Sequence, residues 1–143
     1  MGSPIEPPRR ASFERLAQVV IALVALACVG NGLVIMLKPM GWYEALPSVK
    51  ATGAANHHLI VDVGLAYLSS GLLLAYGAWS PSIRSGALTA GILWLAAHGA
   101  SHLIEFLTGA APLDRFLVDA PAVLAPPLVV IGALVLARPR IQT

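Results

Sequence analysis

Charge is scarce in this sequence. Asp, Glu, Lys and Arg together make up 11% of the 143 residues, against about 25% in soluble domains. The chain therefore falls short of the charge needed to cover a water-facing surface. Long basic runs are missing as well, and a formal charge of +2 gives no reason to expect a nucleic-acid partner. Only one cysteine is present, Cys28, which excludes an internal disulfide framework and a cysteine-based zinc knuckle.

What the sequence has instead is apolar length. Hydrophobic residues reach 57% and the mean hydropathy is +0.79. Four segments, about 15–37, 57–79, 84–107 and 117–137, each supply the roughly 20 residues that span a bilayer. Backbone amides in lipid must pair within their own segment, so helices are expected. The fold class read from this pattern is all-α, an integral membrane up-down four-helix bundle. It forms one domain over 15–138, preceded by a Pro-rich, flexible cytoplasmic tail over 1–14. The length leaves no room for a separate catalytic domain.

Arg9, Arg10 and Arg15 precede the first segment as they would a signal peptide, and VALAC (24–28) is similar to a lipoprotein cleavage box. The uncharged run from 16 to 37 exceeds the roughly 7–15 residues of a signal core, which argues against cleavage. Cys28 then reads as a small buried hydrophobe.

Four spans put both termini on one side, together with Arg9, Arg10, Arg15, Arg84, Arg138 and Arg140. The other side holds only Lys38, Lys50 and Arg115. By the positive-inside rule the termini are cytoplasmic. The stretch 38–56 then faces outward and is long enough to act as a lid.

All four histidines fall at that outer face: His57 and His58 at the start of the second span, His98 and His102 near the end of the third. His58 and Asp62 are spaced i, i+4, and His98, His102 and Glu105 are spaced i, i+4 and i+7, so each set shares a helix face. Pointing the two faces at each other would create a pocket with up to three imidazoles and two carboxylates, roughly 5–10 Å below the membrane surface. Ionisable groups inside a span are a functional hypothesis by default.

Several chemistries suit that set. A transition metal such as zinc, iron or copper could be held by His58, His98 and His102, with His57 near by. Asp62 and Glu105 would act as ligand, orienter or general base, in redox or hydrolytic chemistry on a small or lipid-soluble substrate. A haem between two histidines, a proton relay or small permease, and a non-catalytic membrane subunit with a polar helix–helix knot remain alternatives. A protein partner or a homo-oligomer is compatible with all of them.

Weaker features complete the reading. Gly64 and Gly71 make a face for close helix approach, and Trp94, one turn deeper than His98, could floor the pocket. Pro126 and Pro127 free the carbonyls of Ala122 and Val123. Asp119, before Pro121, reads as a helix N-cap and only secondarily as a ligand.

The stretch HHLIVDVGLAYLSSGLLL (57–74) resembles small bacterial four-helix membrane proteins of the DoxX-like type. The residues that carry the likeness are His58, Asp62, Gly64, Ala66, Tyr67, Leu68 and Gly71. Relatives often have Arg just before that Asp, where this chain has Val61. The resemblance implies an inner-membrane helical bundle, sometimes attached to redox or thiol-handling systems.

Overall fold

In a computed structural model of the chain, the described residues are 8–80 and 82–136. The element order is α1 (Pro8–Leu37), α2 (Pro39–Ala45), α3 (Pro47–Lys50), α4 (His57–Trp79), α5 (Arg84–Leu107) and α6 (Leu113–Leu136). No strand occurs among the described residues. Four of the helices are long and apolar enough to cross a membrane: α1 from Ser12 onward, α4, α5 and α6.

α4 and α5 occupy the residues expected of them. α1 begins earlier, at Pro8, so its first turns take up part of the expected tail. Proline suits a first turn, where its missing N–H would have had no partner. Residues 1–7 of the tail, and Arg138 and Arg140, lie outside the described residues.

α6 also begins earlier, at Leu113, and runs unbroken through Pro121, Pro126 and Pro127. Its first bond is already made by Phe116 N–H to the Pro112 carbonyl at 3.0 Å. Asp119 is therefore inside the helix and is not its N-cap. At the end of α5, Gly109 turns the chain with a φ of 77°, a left-handed conformation that glycine adopts without a Cβ penalty. The stretch 38–56 is largely helical, and Pro39 and Pro47 open α2 and α3.

Each long helix packs against two others: α1 touches α4 and α6, and α5 touches α4 and α6. Neither diagonal pair, α1 with α5 or α4 with α6, approaches within 8 Å between Cα atoms among the described residues. On α4, Gly71 faces Val29 and Ala25 while Gly64 faces Ile35 and Met36, so this seam runs in opposite directions along the two helices. A methyl group on Gly32 of α1 would lie 2.7 Å from the Leu68 nitrogen and 2.8 Å from the Gly64 oxygen. Backbone touches backbone there, as small residues permit.

A related device joins α5 to α6. A Cβ on Gly99 would sit 2.8 Å from the Val123 oxygen, the carbonyl that Pro127 leaves without its helical amide. The Cα–H of Gly99 thus covers an acceptor freed by proline.

The main apolar cluster lies in one half of the molecule, with Ile35 and Ile60 buried separately towards the other end. Ile21, Ala25 and Cys28 pack with Leu74, Leu88, Leu95 and Val130 in one buried cluster. That half is the one where α4 ends and α5 begins, and its helix ends are tied by Gln18 Nε2 to the Ala78 carbonyl and Arg84 Nε to the Gly77 carbonyl, both at 3.3 Å. The other half is hollow.

Candidate functional site

The hollow half holds a cavity of about 1170 Å³. Its walls are mainly apolar, from Val24, Ile60, Val63 and Val123 among others. Leu59 and Val118 line it while remaining exposed, so the cavity opens to its surroundings.

α2 and α3 lie against the cavity through Trp42, Tyr43, Leu46 and Val49. Trp42 Nε1 donates to Asn31 Oδ1 of α1 at 3.3 Å, and the Tyr43 hydroxyl donates to the Gly53 carbonyl at 2.7 Å. Lys50 Nζ donates to Glu44 Oε2 at 2.7 Å. This contact holds the lysine above its ordinary pKa, through the hydrogen bond first and the glutamate charge second. The pair is exposed and so adds little to stability. The Trp42–Asn31 bond is the better-shielded tether. Its loss in Asn31→Leu is expected to speed amide exchange over residues 39–50 about fivefold, since one such bond contributes about 1 kcal/mol. Unchanged exchange by mass spectrometry would show that the covering segment is held by its apolar contacts alone.

The polar side chains of the cavity gather on one wall. Trp94, His98 and His102 follow one another along α5 at i, i+4 and i+8, which stacks them as a column. The Trp94 and His98 rings lie nearly parallel, 9° apart, with centroids at 4.8 Å. His102 meets His98 edge to face at 4.9 Å. Tyr67 of α4 closes the deep end of the column, edge-on to Trp94 at 4.8 Å. At the other end, His102 Nδ1 lies 3.8 Å from Asp119 Oδ2 of α6. His102 and Asp119 are largely covered, with side chains 23% and 15% exposed. His98, His102 and Asp119 all line the cavity, with Asn31 from α1.

The six residues singled out from sequence separate into two groups. His98 and His102 enter the cavity, and Trp94 stacks beneath them. His57, His58, Asp62 and Glu105 do not line it. His58 Nε2 and Asp62 Oδ2 form their own pair at 3.5 Å, with side chains 90% and 51% exposed. His57 and Glu105 are exposed too. The expected meeting of the two helix faces is therefore corrected. The reason is rotation of α4: Gly64, two residues after Asp62 and thus about 200° round the helix, is the residue that packs on α1. Asp62 consequently points away from it.

The donor set that remains is small. Among the described residues no group of three or more His, Cys, Asp or Glu side chains is gathered to hold a metal ion. The carboxylate that does reach the histidines is Asp119, not Asp62 or Glu105. The sequence carries only a faint cue to it. Asp119, Val123 and Val130 are spaced i, i+4 and i+11, and the two valines are buried. On an almost wholly apolar helix, however, that stripe has no contrast. No family model, no curated protein and no solved structure matches this chain.

Proposed function

We propose that this chain is a multi-pass protein of a bacterial inner membrane, and that its hollow half binds a small lipid-soluble ligand carrying one polar end. In this reading the four long helices cross the bilayer alternately, up and down, with both termini cytoplasmic and the cavity on the outer side. The arginine asymmetry supports the orientation, and the likeness of α4 to DoxX-like proteins supports the family and the membrane.

The observation that carries the ligand reading is the make-up of the cavity. An apolar space with a few convergent polar groups is the ordinary composition of a small-molecule site. The apolar body of the ligand lies against Ile60, Val63 and Val123, and its polar end meets His102 and Asp119. A carboxylate beside Nδ1 favours the tautomer protonated there, which leaves Nε2 as an acceptor. A hydroxyl-bearing ligand is thus bound as a donor, and the pair can exchange a proton with it. We assign binding, with that proton exchange as the available chemistry. Metal-centred chemistry has less support, because the gathered donors are too few.

The test uses tryptophan fluorescence. Trp42 lines the cavity and Trp94 stacks beneath it, whereas Trp79 ends α4 at the opposite side. In a Trp79→Phe background, a brominated medium-chain alcohol is expected to quench the remaining tryptophans with a saturable component. Filling the cavity by Val63→Phe with Ala122→Leu should remove that component and leave only linear quenching. Linear quenching in the parent protein as well would sink the reading.

A further inference from the structure

α4 carries His58, Asp62, Ser69 and Tyr76 on an exposed face, whereas Ser70 is buried and Tyr67 packs on Trp94. The exposed stripe runs through His58, Asp62, Leu65, Ser69, Leu72, Tyr76 and Trp79, with His57 and Leu59 exposed beside its start. Their spacing of four and three marks a single helix face, and the outward stripe of α1 has the same spacing, so the two differ in chemistry and not in period. The outward stripe of α1 is different: Leu16, Val19, Leu23 and Leu26 are all apolar, as lipid requires. On α4 a carboxylate, an imidazole and two hydroxyl side chains occupy that position.

We infer that the outward face of α4 is the surface on which two copies of this chain pair in the membrane. The inference rests on the membrane-spanning part of the proposed function and uses nothing from the cavity. Charge complementarity identifies the occupant. In a two-fold pair whose axis follows the membrane normal, the two α4 helices run parallel and equal heights face each other. Such an interface is self-complementary, each residue of one copy meeting its counterpart's neighbours on the other. His58, a donor, and Asp62, an acceptor one turn deeper, form a contact of 3.5 Å within one copy. Across the two-fold axis each His58 also reaches the Asp62 of the second copy, giving each carboxylate two imidazole partners. Ser69 and Tyr76 supply hydroxyls deeper in the same seam, where hydrogen bonds across helices hold membrane pairs together. A different protein would have to bring a matching acidic and basic pair of its own. A second copy has one already.

The experiment begins with the full chain carrying Cys28→Ala, so that single cysteines can be introduced and oxidised in membranes. Leu65→Cys and Leu72→Cys are expected to give disulfide-linked dimers, whereas Leu23→Cys on α1 is not. Energy transfer between labelled copies in liposomes then gives the dissociation constant. Asp62→Asn is expected to raise it about tenfold, because the substitution is present in both copies and removes two such contacts of about 0.6 kcal/mol each. His58→Asp alone should weaken pairing further, and His58→Asp together with Asp62→His should restore it. Circular dichroism confirms that each variant folds. Cross-linking that is equal on α1 and α4 overturns the inference, and so does a monomer at every protein-to-lipid ratio. A chain recovered in the soluble fraction would instead overturn the membrane reading on which it stands.

Discussion

Gly32→Ala is expected to destabilise the protein by about 1–3 kcal/mol, the usual scale for forcing a methyl group into a filled contact. The added carbon would lie 2.7 Å from the Leu68 nitrogen and 2.8 Å from the Gly64 oxygen. Both obstacles are backbone, so no side chain can rotate aside, and α1 must move off α4. Gly30 is the matched control. It lies on the same helix two residues away, and a methyl group there meets nothing within 4 Å. Gly30→Ala is expected to be neutral or to stabilise by up to about 1 kcal/mol, because alanine is the better helix former. Unfolding of both variants in mixed micelles measures the difference. Equal stability of the two would mean that the α1–α4 seam is looser than described.

Removing either member of the His102–Asp119 pair is expected to weaken binding of the brominated alcohol about 10- to 100-fold. That range corresponds to the roughly 1.5–3 kcal/mol of a hydrogen bond involving a charged group. His102→Ala and Asp119→Asn should not add, because both remove one arrangement. His58→Ala and Asp62→Asn are expected to leave the quenching constant unchanged, since neither residue lines the cavity. The pair also bridges α5 and α6, and a purely adhesive role makes a different forecast. In that case Asp119→Asn would lower stability and leave binding alone. A quenching constant unmoved in Asp119→Asn would therefore remove the polar anchor from the proposed site.

The helices were readable from composition, and the reason is the solvent. An uncharged run of helical length with no water to pair its amides has one stable conformation. α4 and α5 accordingly begin and end where the apolar pattern does. The ends of α1 and α6 were less legible. The Pro-rich start reads as a tail, yet Pro8 sits where no amide is needed and opens α1. Asp119 before Pro121 reads as an N-cap, yet α6 begins at Leu113 and carries Pro121, Pro126 and Pro127 within it. At Pro127 the freed Val123 carbonyl is met by Gly99 of another helix, a compensation that no local rule contains.

Two of the six candidate residues were legible: His98 and His102 share a face by spacing alone, and both enter the cavity. Of the four that do not, three lie on α4, where two cues competed. His58 and Asp62 marked one face as functional, while Gly64 and Gly71 marked another as a packing surface. The glycines prevailed, because backbone-to-backbone contact with α1 fixes the rotation of α4 and every other side chain follows from it. Asp119 is the opposite case, an acidic residue on an apolar helix whose direction has no periodic contrast to reveal it.

Residue chemistry along the chain decides that there are four apolar helices, how long they are, and that imidazoles cluster at one end, since these are properties of each segment in its solvent. Which side chains share a space depends on how each helix is turned about its own axis. That angle is set by glycine contacts between segments distant in sequence, so it arises only when the helices pack.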